Sequence, residues 1–215
     1  MPDLKLSSIL SKQSSKRLIQ QFCDNVGMVY FGYVSQRDDE HHILRGMTVS
    51  TKHHDDHYCI GSYDGYDVVF VERSDTLRSG KKHAWHIMEF DLKTTADIPH
   101  IFIGSGTRGH GFHELLDLKY PTLQPADLAS LSEYPNSFKG QYKVYVAPTH
   151  THDALRIINP ELAGTIASHF SGLVIELTES ALYIYSEKSR LSPDLLETIL
   201  KNGTWLAAQI DKKVG

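Results

Sequence analysis

The sequence predicts an α+β fold: a largely antiparallel sheet of seven or more strands, flanked by helices and closed by a strand–helix–hairpin–helix block. Three observations predict it. Short β-branched and aromatic runs recur with tight turns between them, which makes hairpins and an antiparallel sheet. Helical apolar spacing occurs over 14–26, 160–170 and 193–211. Finally, nearly every apolar residue from Phe138 to Ile210 has a definite place in one of these patterns.

Taken in order, residues 1–13 are polar and expected to fray. Ser14 or Ser15 can cap a helix to about Val26, with Leu18, Ile19, Phe22 and Cys23 on one side and Gly27 as its stop. Met28–Val34 reads as a strand, Gln36–His42 as a charged turn, and Ile43–Ser50 as a second strand. Thr51–His57 is polar and expected to form a turn. Asp64-Gly65 marks a hairpin before the buried strand Tyr66–Glu72. Ser79–Lys82 suits a hairpin tip, and Trp85–Leu92 and Ile98–Ile103 are further strands. Gly104–Gly111 reads as a flexible loop and Phe112–Leu118 as a short helix. The prolines at 121, 125 and 135 mark a connector over 119–137, with a small helical turn at 126–131. The chain is read as one domain over 1–215, or as two lobes, 14–118 and 138–211, joined by that connector.

The C-terminal block is the clearest part. Tyr142, Val144 and Val146 alternate with Lys143 and Tyr145, as on a half-buried strand. Pro160 suits a first helical position, and Gly172 ends the helix that follows. Leu173–Leu177 and Leu182–Tyr185 bracket the turn 178–181. Ser192 caps a last helix with Pro193 at its first position, and Leu196, Ile199, Gly203, Leu206 and Ile210 form one stripe. Gly203 costs about 1 kcal/mol relative to alanine in mid-helix, so it marks close packing against the sheet.

The totals bound the function. With 22 Lys and Arg against 26 Asp and Glu, the formal charge is −4, which gives no general attraction to nucleic acid. No apolar run reaches the ~20 residues of a membrane span, and the N-terminus shows no signal peptide. Cys23 and Cys59 sit in apolar surroundings and are too few for a disulfide scaffold. They read as buried free thiols in a reducing compartment, and the expected location is cytoplasmic.

The order Asp64-Gly65-Tyr66 before an apolar strand, then Trp85–Leu92, then Ile98-Pro99 entering Ile101–Ile103, resembles an uncharacterised family of bacterial proteins, many of them membrane-tethered. Asn136-Ser137-Phe138 before Tyr142-Lys143-Val144, and the closing Pro193-Asp194-Leu195-Leu196 helix, extend the resemblance over roughly 61–211. What it implies is a fold; the family offers no activity or functional residue to carry over.

Thirteen histidines supply the chemical candidates. His53, Asp55, Asp56 and His57 carry imidazole and carboxylate ligands for a divalent metal. On a helix His53 and His57 would lie about 5–6 Å apart and chelate; on a strand they would lie roughly 13 Å apart and would not. Arg108 and Gly109, before the helix at 112–118, form a candidate anion site, and His110 and His113 share a face there. His150 and His152 follow a strand, where Thr149 or Thr151 is expected to cap a helix with Asp153 in its first turn. No serine has a nucleophile-elbow context. The favoured reading is a soluble non-catalytic binding or structural domain with a protein or small-molecule partner. The alternative is a metal-dependent hydrolase or metal-binding protein built from the histidine and aspartate clusters.

Overall fold

The computed structural model describes residues 3–33, 54–76, 82–105, 120–187 and 191–215. Those residues form a sheet of nine strands with five α-helices on it. The strands are β1 (Val29–Gly32), β2 (His54–Tyr63), β3 (Tyr66–Thr76), β4 (Lys82–Asp91), β5 (Ile101–Ser105), β6 (Gln124–Pro125), β7 (Tyr142–Val146), β8 (Val174–Thr178) and β9 (Ala181–Ser186). The helices are α1 (Asp3–Val26), α2 (Asn136–Gln141), α3 (Thr151–Ile157), α4 (Pro160–His169) and α5 (Pro193–Val214). The spatial order is β1-β2-β3-β4-β9-β8-β5-β7-β6, and every pairing is antiparallel. The sheet is therefore continuous across 119–137, since β4 pairs directly with β9.

Two hairpins set the register. Tyr63 pairs with Tyr66 across Asp64 and Gly65, both at positive φ, which is the two-residue turn that matches strand twist. Thr178 pairs with Ala181 across Glu179 and Ser180, also both at positive φ and without a glycine.

The two faces differ. On one, β-strand residues such as Val68, Phe70, Met88, Phe90, Ile101, Ile103, Ile175 and Ile184 meet the helices in one large core. Asn159 accepts from Leu162 N at 3.0 Å and Ser192 from Leu195 N at 3.1 Å, so both helices start at side-chain caps. On the other face Tyr58, Val71, Trp85, Ile87, Phe102, Tyr183 and Tyr185 make a second, aromatic core.

Gly203 fulfils its expectation. A Cβ there would overlap the ring of Phe90 and sit 2.8 Å from Ile184 Cδ1. Gly203→Ala should gain about 1 kcal/mol of helix propensity and lose about 1–3 kcal/mol to overpacking. A net loss in urea denaturation is expected, and a gain would show that α5 can lift off β4 and β9 freely.

Several expectations change. Helix α1 begins at Asp3, not at residue 14: between Pro2 and Gly27 nothing breaks it, and Leu, Lys, Gln and Arg are good helix formers. Its end is as expected, with Gly27 at φ 76° and Met28 N–H bonded to Cys23 O at 2.9 Å, a Schellman closure. His54–His57 are strand, not turn. Neither Thr149 nor Thr151 caps α3; His150 stands at that position, and Thr151 Oγ1 donates back to Pro148 O at 3.1 Å. Within 126–131 the structure has a single turn, closed by Leu131 N–H on Leu128 O at 3.2 Å, and α2 was not anticipated. Cys23 and Cys59 are buried as expected but are joined in a disulfide, not free. The strand expected at 43–50, the loop at 104–111 beyond Ser105 and the helix at 112–118 lie outside the described residues.

Candidate functional site

Strand β2 carries the predicted metal ligands and disperses them. His53 lies outside the described residues. Asp55 pairs with Arg73 and Asp56 with Glu72 on β3, and strand alternation sends these two neighbours to opposite faces of the sheet. His57, at φ 61°, is a bulge residue, and the register slips there. The bulge has a consequence. It returns Tyr58 to the face of Asp55, so that Tyr58 OH donates to Asp55 Oδ2 at 3.2 Å.

Asp55 is committed to Arg73. The guanidinium donates Nε–H to Oδ1 and Nη2–H to Oδ2, both at 2.7 Å, and both side chains are buried. Burial acts against the Arg73 charge, but the hydrogen bonds and charge of Asp55 outweigh it, with Tyr185 and Tyr58 adding to them. The net effect holds the guanidinium above its ordinary pKa. With Tyr58 OH as a third donor, three of the carboxylate's roughly four acceptor sites are taken.

The other members take local partners. His54 Nε2 lies 3.2 Å from Asp56 Oδ1 and its ring stacks on Tyr33. His57 Nδ1 lies 2.7 Å from Tyr30 OH. His152 is exposed on α3, 3.8 Å from its neighbour Asp153. Among the described residues no group of three or more His, Cys, Asp or Glu is gathered as a metal would need, so the metal-dependent alternative is not favoured. Arg108 and Gly109, with His110 and His113, lie outside the described residues.

The same aromatic face holds a second polar cluster that the sequence did not reveal. Glu176 on β8 is fully buried. It accepts from Tyr185 OH on β9, lies 2.7 Å from His100 Nε2 through its Oε1, and is hydrogen-bonded by Tyr120. Burial first, then the charges of Glu176 and Glu179, push the Tyr120 phenol well above its ordinary range. Tyr120 also meets the His100 ring edge-on at 4.4 Å. Tyr185 links the two clusters, since it acts on Arg73 as well. The set runs from Asp55 to His100 across the sheet. Its ionisable groups are satisfied by one another, which suits a rigid polar seam better than a reaction centre.

The surface feature that remains is apolar. Val29, Phe31 and Tyr33 are 56%, 54% and 58% exposed, and Ile60, opposite Val29 in register, is 37% exposed. Val29 and Ile60 are paired in register, but the register slips between Tyr30 and Gly32, and Tyr33, just past the strand, stacks on His54. β1 is the last strand of the described sheet on that side. An open recess lined by Gln20, Asp24, Met28, Val29 and Tyr30 lies at the junction of α1 and β1. The apolar and aromatic run Met28–Val34 marks a strand in the sequence but carries no sign of its exposure.

No protein-family model matches this chain, and no curated protein matches it. Among solved structures it is similar to the mycobacterial trehalose monomycolate transport factor A, TtfA, with a TM-score of 0.62 over 92% of each chain at 8% identity. A likeness at that identity shows a shared fold. Among the described residues, no helix is long and apolar enough to cross a membrane.

Proposed function

We propose that this chain is a non-catalytic binding domain that docks a protein partner through the exposed apolar residues at and beside β1. The observation that carries the reading is the exposure of Val29, Phe31 and Tyr33 in and just after β1, with Ile60 paired to Val29. Exposed apolar side chains on the last strand of the described sheet are a recognised place for another polypeptide to seat. The polar seam supports the same reading, because Asp55 is engaged with Arg73 and Glu176 with Tyr185, His100 and Tyr120, and both offer little to a substrate. The likeness in fold to a protein described as a transport factor supports a binding role.

The test is purification from the native host in mild detergent. The wild-type chain should bring down a discrete partner in near-stoichiometric amount, and Phe31→Glu with Ile60→Glu should lose it while keeping the wild-type Tm. Retention of the same partner by that double variant would refute the docking surface.

A further inference from the structure

The disulfide between Cys23 and Cys59 bears on where this domain is made and works. Cys23 lies in the last turn of α1, and Cys59 lies in β2, opposite Tyr30 of β1 and Phe70 of β3. Their Cα atoms are 6.6 Å apart, within the range a disulfide spans, and the bond closes a sequence separation of 36. Both residues are 0% exposed. The local packing leaves little slack: a Cβ on Gly61 would sit 2.9 Å from Met28 Cα and 2.8 Å from its Cγ, so the chain after α1 lies tight on β2.

Complete burial constrains how the bond forms. Thiol–disulfide exchange needs in-line access of a thiolate to a sulfur. In the folded domain neither sulfur is open to a protein-sized reagent. The bond must therefore form while α1 is still undocked from β2, during the first folding of the chain. Once closed, it is shielded from reductants by the same packing.

We infer that Cys23 and Cys59 are oxidised by a protein disulfide donor as the chain folds, and that the domain works in an oxidising compartment. In the reaction one cysteine thiolate attacks a sulfur of the donor disulfide and forms a mixed disulfide. The second thiolate then attacks the first cysteine's sulfur and displaces the donor as a dithiol. Two electrons pass to the donor, and the two protons lost by the cysteine thiols end on the donor's two thiols, so the step balances. Reducing compartments hold structural disulfides poorly. This inference thus replaces the cytoplasmic expectation drawn from the sequence, and it does not depend on which partner the domain binds.

The experiment uses the full chain from its native host. Cells are quenched in acid, and the protein is denatured and alkylated with N-ethylmaleimide without reductant, then weighed intact. The expected result is a mass with no maleimide added and two hydrogens fewer than the reduced chain. Two maleimides on most molecules would overturn the inference. A second measurement needs no variant: urea unfolding of the same purified protein with and without reductant in the denatured state. Reductant should raise the unfolding equilibrium constant by on the order of several hundred-fold, and identical curves would overturn the inference.

Discussion

Arg73→Met should destabilise the domain by about 3–5 kcal/mol, because it leaves the Asp55 carboxylate buried without its partner. The pair is closed on both sides: Arg73 and Asp55 are buried, joined by two 2.7 Å hydrogen bonds, and roofed by Tyr58. For a chain of this size, each kcal/mol moves Tm by roughly 2–4 °C, so the shift should match that of a large core truncation. The double change Asp55→Leu with Arg73→Met should recover most of the loss, since an apolar pair of similar volume removes the stranded charge. Urea denaturation of the two variants decides the matter. A single-variant loss below about 1 kcal/mol would mean that water reaches the pair and that it behaves like a surface ion pair.

The second large effect belongs to Cys23 and Cys59. A cross-link closing a sequence separation of 36 restricts the unfolded chain, and the chain-entropy relation puts that at about 4 kcal/mol. Cys23→Ala with Cys59→Ala should therefore lose about that amount relative to the oxidised protein and match the reduced wild type. The cost should appear as a lower urea midpoint with a steeper slope, because the uncross-linked chain exposes more surface on unfolding. A double variant as stable as the oxidised wild type would show that burial of the two side chains, and not the bond, seats α1 on the sheet.

The C-terminal half was legible because its signals are local. Pro160, Gly172, Ser192 and the stripe ending at Ile210 each act through their own turn of backbone, and the structure uses each as the sequence suggests. The Asp64-Gly65 turn is local in the same way. What was missed depends on distance. Arg73 continues the alternation of Val69 and Val71 on β3, yet nothing in its own neighbourhood says that Asp55 will meet it across the sheet. His57 adopts positive φ without being glycine or asparagine, so the bulge that realigns Tyr58 with Asp55 had no signature. The histidine-rich run looked like a ligand set because composition is visible in a sequence and strand alternation between two faces is not. The disulfide was missed for a related reason. Two cysteines read alike whether free or joined, and only the docking of α1 on β2 brings them together.

The most direct test of the account is amide hydrogen exchange on the isolated chain and on the chain bound to the partner it co-purifies with. The account predicts slowed exchange in β1 and at Tyr33 just after it, and around Ile60 of β2, with the Asp55–Arg73 and Glu176–His100 seam unchanged. Protection confined to another surface, such as the face of α5 around the exposed Trp205, with β1 exchanging as fast as before, would contradict it.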